Sequence, residues 1–482
     1  MSQIPVDCLY EIIEYFEDDK KTLYSCLLVN RLFCEISVKI FWRNVLSYNT
    51  SNFSTLITCL PYDSKNLLYE NEIIILTPTL IKSPTFNYAK FCKVLSVNRV
   101  HFKIRELLKK NQPIYLSQKR VEINTNIVVQ EICKMIINRS SLKSLIFSYY
   151  PTLTFTFCPE DITCFNKLSE LRCQSDFSSE FFYQLSQICH TITLLDIKFY
   201  NHISNGLADL ISIQKNLKHF RMTQSNYLKG IPSLIANLPN NLIKLNIYGG
   251  NFISLSFITK FSNLQELELS FGHNPDFGDY EKLLNFRFSR LQIFTIWHLN
   301  SRSELIIKFL EINGKNLKEF YANIYNDDIN LAIIKFCPNL RKLSIRIIKY
   351  ELETLKLIFK SCQHLESIKV WCGSSYLNEK EVLEAILKYS HENIIELILH
   401  MLHEQYNARF EPILSDDLDA FFISWMNRIP RKPLSFKIIT RDCYKSLDKI
   451  DSNMKIINKY IKLGVIKDFK VINDNETFTS NY

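Results

Sequence analysis

Asn241-Leu242-Ile243-Lys244-Leu245-Asn246-Ile247 is answered by Asn263-Leu264-Gln265-Glu266-Leu267-Glu268-Leu269 and, later, by Asn339-Leu340-Arg341-Lys342-Leu343-Ser344-Ile345. All three carry one phrase: a Leu or Ile, two variable residues, a second apolar residue, one variable residue, a third apolar residue. Its first apolar position falls at 142, 168, 192, 217, 242, 264, 291, 317, 340, 365 and 394, a spacing that averages about 25 residues. Positions 4 and 6 alternate as in a short strand with one inward face, which leaves 3, 5 and 7 on the opposite face. The remainder of each unit has a helical pattern, as in Asn330 to Cys337 and Leu355 to Lys360, that returns the chain to the next strand. One such unit cannot bury its own apolar face, so neighbours must stack.

A period in the twenties with one strand phrase per unit is the signature of a leucine-rich repeat. The expected fold is therefore an α/β solenoid, with parallel strands on a concave face and helices on a convex face. The run from Cys337 through Leu340 and Leu343 to Ile345 resembles the cysteine-containing subfamily of these repeats. Asn201, Asn226, Asn251, Asn300 and Asn326 each fall nine places after a first apolar position, as turn residues whose amides satisfy backbone groups leaving the strand.

The bulk composition fits this reading. A chain of 482 residues is too long for one ordinary core, and 47% apolar with 22% charged residues describes a folded protein. No apolar run approaches the roughly 18 residues of a membrane span. The start, Met1 to Cys8, lacks a basic segment followed by an apolar one, so an intracellular protein, cytoplasmic or nuclear, is expected. The 14 cysteines form no C-x-x-C pair; Cys189, Cys337 and Cys362 each stand three residues before a first apolar position, as buried thiols. The net charge of +9 comes from 58 basic against 49 acidic residues spread along all repeats, which argues against a nucleic-acid partner.

Residues 4 to 43 break the rhythm. Ile4-Pro5-Val6-Asp7-Cys8-Leu9-Tyr10-Glu11-Ile12-Ile13-Glu14-Tyr15-Phe16 resembles the opening of an F-box, an apolar-Pro pair followed by Leu and Ile at helical spacing. Leu23 to Phe33 is similar to that family's second helix, with Val29 and Phe33 four apart, and Phe41-Trp42 stands where the family has its closing Trp. The stripe Leu9, Ile12, Ile13, Phe16 shares one helical face. Three short helices bury too little surface to be stable alone, so the module needs the rest of the chain or a partner. The resemblance implies that it binds the adaptor subunit of a cullin–RING ubiquitin ligase, with Ile4, Pro5, Leu9, Leu27, Val29 and Phe33 as the adaptor contacts. The alternative is an N-terminal cap on the repeats.

The expected organisation is a helical module at 1–45, a helical connector at 46–120 that holds early degenerate repeats or none, and a repeat array at 121–482 ending in a degenerate cap. Phe53 to Leu60 and Phe102 to Lys110 read as short connector helices, and Leu434 to Ile438 and Ile466 to Val471 as late phrases. Catalytic patterns are not found. With nine glycines there is no G-x-G-x-x-G or G-x-x-x-x-G-K run. His400-Met401-Leu402-His403-Glu404 lacks the spacing of a metal-binding H-E-x-x-H, and Asp327-Asp328 and Asp416-Asp417 are adjacent pairs. No cofactor, metal or catalytic residue is expected.

The resemblance thus implies a non-catalytic substrate receptor of an SCF-type ligase that holds a protein substrate on its strand face. The reading from a different class is a repeat scaffold or sensor without a ligase link. Aromatic residues and Arg are the usual anchors of protein interfaces. Tyr248, Trp297, Arg346 and Trp371, at position 7 of their phrases, are therefore the expected substrate contacts.

Overall fold

The computed structural model describes residues 4–73, 84–111, 117–147, 164–224, 228–249, 254–271, 280–297, 303–323, 326–373, 375–402, 413–440 and 446–474. They form two compact units, Met1–Met222 with Leu228–Pro239, and Thr223–Tyr227 with Asn240–Tyr482. The fold is α/β, a leucine-rich-repeat solenoid in which strands alternate with helices along the chain.

In chain order the strands are β1 (Val94–Ser96), β2 (Ser144–Ile146), β3 (Glu170–Gln174), β4 (Leu194–Phe199) and β5 (His219–Gln224), then β6 (Lys244–Tyr248), β7 (Glu266–Ser270), β8 (Ile293–Trp297) and β9 (Glu319–Ala322). They continue with β10 (Lys342–Ile345), β11 (Ser367–Cys372), β12 (Glu396–Met401), β13 (Leu434–Thr440) and β14 (Ile466–Asn473). From β2 to β12 each strand begins two residues after one of the eleven first apolar positions. In the first unit β1 to β4 pair in parallel with their sequence neighbours. In the second unit β6 to β14 do the same.

The repeat has a simple physical logic. Positions 1, 4 and 6 are buried, as in Leu242, Leu245 and Ile247 or Leu340, Leu343 and Ile345. The backbone N–H at position 2 donates to the position 2 carbonyl of the preceding unit: Lys318 to Gln292, Arg341 to Lys318, Glu366 to Arg341. The residue three before position 1 adds a side-chain rung. Cys189 Sγ donates to the Phe165 carbonyl at 3.4 Å, Gln214 Nε2 to the Cys189 carbonyl, and Cys362 Sγ to the Cys337 carbonyl at 3.5 Å. These thiols therefore act as weak donors as well as small apolar fillers. Burial pushes Cys189 and Cys362 up to about 12, so neither ionises near neutrality.

The N-terminal module is three helices, α1 (Val6–Glu14), α2 (Lys20–Leu27) and α3 (Arg31–Phe41). Pro5 precedes α1 and Asp7 sits in its first turn, where the helix dipole favours an acid. Asp19 caps α2 by accepting the N–H groups of Lys21 and Thr22. Asn30 caps α3, its side chain accepting the Phe33 N–H at 3.0 Å. That cap corrects the expectation of one helix through Phe33: Val29 lies in the break and Phe33 belongs to the next helix. Leu9, Ile13, Leu23, Ile36 and Ile40 form the module core, and the exposed Ile12 leaves the expected stripe.

After the module come helices Thr50–Thr58, Tyr62–Glu70, Val97–Asn111 and Gln118–Arg139. The boundary expected at 120/121 thus falls inside a 22-residue helix, and β1 carries the strand pairing back into the connector. At the other end β13 and β14 pair across a register shift between Leu434 and Ser435, the one irregular join of the described late units.

Candidate functional site

Two surfaces stand out, one apolar and one polar. The apolar one belongs to the module. Ile4, Val6, Ile12, Tyr15, Tyr24, Leu28, Val29 and Leu32 are all exposed, Leu28 by 76% and Val29 by 59%. So many exposed apolar side chains over so short a stretch leave this part of the module with unusual apolar surface in water. The expected adaptor residues divide there. Ile4, Pro5 and Val29 are exposed, and Leu27 is half-buried. Leu9 is a core residue and Phe33 packs against that core, so these two are corrected from contact to support.

The module is tied to β1 through the end of α3. Arg43 Nη1 donates to Glu14 Oε1 at 2.7 Å and to Glu17 Oε2 at 2.8 Å, and Nη2 donates to Tyr10 Oη at 2.7 Å. The Arg43 carbonyl accepts the N–H groups of Lys93 and Val94, and Asn44 forms a parallel bridge with Val94 at β1. The buried Trp42 lies 4.5 Å from the Tyr88 ring.

The polar surface is the strand face of the second unit. Position 3 carries a line of ion pairs, Lys244 with Glu266 at 2.7 Å and Lys342 with Glu319 at 3.0 Å. Tyr321 Oη donates to Glu319 Oε2 at 2.8 Å, and Lys437 Nζ sits 2.6 Å from Glu396 Oε1. Of the expected substrate contacts, Trp297 remains half-exposed, its Nε1 donating to Glu268 Oε1 at 2.9 Å. Arg346 is half-buried, whereas Tyr248 and Trp371 are closed off at 3% exposure each. These two are corrected: an outward strand position does not guarantee access once neighbouring side chains cover it.

Trp371 is the centre of a cluster. Parallel pairing sets it beside His400, and their rings stack at 3.6 Å and 20°. On the other side the Arg346 guanidinium lies 4.0 Å from the indole centre, and Lys369 Nζ lies 5.0 Å from it. The chain beyond β14 brings Asp474 back to His400, with Oδ1 3.4 Å from Nε2 but without hydrogen-bond alignment. Burial depresses Lys369 to about 8 and His400 to about 4. At neutral pH the cluster therefore holds two cations, one neutral imidazole and one carboxylate. His400 stands at position 7 of the phrase from Ile394, a signal that register alone could have supplied. His403 and Glu404 of the metal-like string lie outside the described residues, as do Asn226, Asn251 and Asn300.

Elsewhere, stacking assembles what is scattered in the chain. Arg290, Lys315, Lys318, Arg341 and His364, from successive units, line one cavity of about 430 Å³ at the strand-entry edge. The neighbouring Asp327 carboxyl, together with burial, lifts the Glu351 carboxyl to about 7. Asn326 caps the helix Asp327–Phe336, and Asn201 instead donates to Asp176 at 2.9 Å. Among the described residues no group of three or more His, Cys, Asp or Glu could hold a metal ion. Nor is any described helix long and apolar enough to cross a membrane.

No family model and no curated protein matches the chain. Among solved structures, a chain of the Rad7 and Elc1 complex in yeast is similar at 13% identity, over 59% of this chain and 79% of that one, with a TM-score of 0.39. The leucine-rich repeat-containing protein LegL7 from Legionella pneumophila is similar at 13% identity, over 60% of this chain and 92% of its own, with a TM-score of 0.32. Likenesses this distant leave function to the residues themselves.

Proposed function

We propose that the chain is a non-catalytic substrate receptor of an SCF-type cullin–RING ubiquitin ligase. Its N-terminal module would be an F-box that docks the adaptor, and its repeats, of the cysteine-containing type, would hold a protein substrate. The supporting observation is the exposed apolar surface of α1, α2 and the α2–α3 break, on a module whose own core is five side chains. Apolar surface of this density is costly in water and is offset when a partner covers it. Ile4, Pro5 and Val29 keep their place as adaptor contacts, and Leu28 joins them on exposure. On the substrate side Trp297 and Arg346 are the accessible anchors. A cytoplasmic or nuclear location goes with this reading.

A second reading, a repeat scaffold whose first 45 residues form a cap, is favoured by the Arg43 carbonyl that continues into β1 pairing. Co-purification of the full chain with an adaptor–cullin pair separates the two. The receptor reading expects stoichiometric recovery that is lost in a Leu28→Asp/Val29→Asp double variant of unchanged melting temperature. Equal recovery from both forms, or none from either, leaves the scaffold.

A further inference from the structure

We propose that the cluster around Trp371 is an oxyanion-binding site, which receives a phosphate or carboxylate group and which Asp474 fills from within the chain. It stands apart from the ligase reading, since it rests on the strand face alone.

The argument begins with what the cluster lacks. Trp371 is 3% exposed and His400 2% exposed, yet the indole Nε1 and both imidazole nitrogens have no hydrogen-bond partner, and neither has Arg346 Nε. Buried polar groups are almost always paired, because an unpaired one loses its bonds to water and gains none in return. A finished structural network would not keep four such nitrogens around one aromatic stack. Three of the four donate. The guanidinium and the indole can only donate, the Lys369 ammonium can only donate, and the imidazole donates from whichever nitrogen carries its proton. The matching ligand offers acceptors and negative charge.

Charge points the same way. Arg346 and Lys369 both lie against one indole, and a carboxylate that acts on both is Asp474. Asp474 Oδ1 stands 3.4 Å from His400 Nε2, and with it in place the indole Nε1 and the Arg346 Nε still lack the acceptors that a seated oxyanion would supply. A phosphate, with more acceptor oxygens and up to two negative charges, suits two cations and two neutral donors better than one carboxylate does. The residues come from β11, β12 and the position after β10, which parallel pairing holds in register. Only the Asp474 end has to move for an external group to enter.

Trp371 supplies the readout, as one of four tryptophans in the chain. The full chain is titrated with inorganic phosphate and, separately, with a short phosphoserine peptide of otherwise neutral sequence, following tryptophan emission and binding heat. A saturable response is expected, at least about fivefold tighter in Asp474→Asn because the internal competitor is removed. Trp371→Phe should abolish the emission change while heat remains, and Lys369→Gln should weaken binding about tenfold or more. A peptide much tighter than phosphate identifies a phosphorylated partner; equal affinities identify a free anion; both sustain the site. The proposal is overturned if neither probe binds parent or Asp474→Asn, or if Asp474→Asn binds no tighter than the parent. Should Lys369→Gln fail to fold, the parent against Asp474→Asn comparison decides alone.

Discussion

The N-terminal module and the second repeat unit solve opposite problems with the same kinds of residue. In the module Leu28, Val29, Tyr15 and Tyr24 face water while the core holds five side chains. In the second unit apolar side chains fill the interior, and ionisable groups are drawn inward with them: Glu379 is fully buried, and His400 and Asp474 nearly so. Surplus apolar surface asks for a partner of similar character, and binding of that kind depends little on salt. Buried charge responds to pH and to anions. The two regions therefore should fail in different ways when altered.

The largest difference should appear between two tryptophans at the same repeat position. Trp371→Ala removes a buried ring stacked on His400 and under Arg346, and should cost about 4 kcal/mol of stability in chemical denaturation of the full chain. Trp297 is half-exposed and held by Glu268, so Trp297→Ala should cost about 1 kcal/mol and act mainly on partner binding. Equal losses for the two variants would show that position 7 is uniformly structural and would erase the contrast.

Next in size is a pH effect that two buried groups hide from each other. Burial lifts the Glu379 carboxyl from 4.5 to about 7, so its contribution to stability is full below pH 4.5 and lost as pH rises through 7. Burial lowers His400 from 6.5 to about 4, so its contribution is full above pH 6.5 and lost as pH falls through 4. Each amounts to on the order of 3 kcal/mol, and between pH 4.5 and 6.5 they oppose. Relative to the parent, Glu379→Gln should become less stable as pH falls across that window, and His400→Gln less stable as pH rises. Parallel curves for parent and both variants would mean that neither group is buried in solution.

In the module the expected effect is on binding rather than folding. Leu28→Asp and Val29→Asp should each weaken adaptor capture by about 2 kcal/mol if they are interface anchors, while stability moves by about 0.5 kcal/mol or less. High salt should leave the parent's capture nearly unchanged, because no charged side chain is needed for an apolar contact. A melting temperature that falls with either substitution would place these side chains in a core.

Most of the array was legible because its signal is local and repeated. Every first apolar position from Leu142 to Ile394 lies two residues before a strand, since the phrase itself encodes strand, face and spacing. The late phrases at Leu434 and Ile466 were legible for the same reason. What escaped depends on competition or distance. The break before α3 turns on the Asn30 side chain taking the Phe33 N–H, against an apolar pattern that runs on. Burial of Glu379 carries no sequence mark, as a Glu in a first helical turn is ordinary on a surface. Of the Trp371 cluster, register places Arg346, Trp371 and His400 on one rung, but nothing local announces that Asp474 returns to them.

The smallest effect tests whether the ion pairs of the strand face share in its buried character or belong to the surface. Lys342 Nζ lies 3.0 Å from Glu319 Oε1, with the lysine side chain 44% exposed and the glutamate 22%. Partial exposure keeps water and salt in contact with the pair, and Lys342 gives up rotamer freedom to make it, so the net gain is expected to be below about 1 kcal/mol. Glu319 also accepts the Tyr321 hydroxyl, which holds its carboxylate in place when the lysine is removed. Lys342→Ala should therefore lower stability by roughly 0.5 kcal/mol in dilute buffer, and the difference should vanish near 1 M salt, where the screening length is about 3 Å. The Trp371→Ala loss, by contrast, should persist at that salt concentration because its source is packing. A Lys342→Ala penalty that stays large in high salt would move the position 3 pairs from the surface into the interior, and the second unit would then bury charge along its whole strand face rather than at the Trp371 cluster.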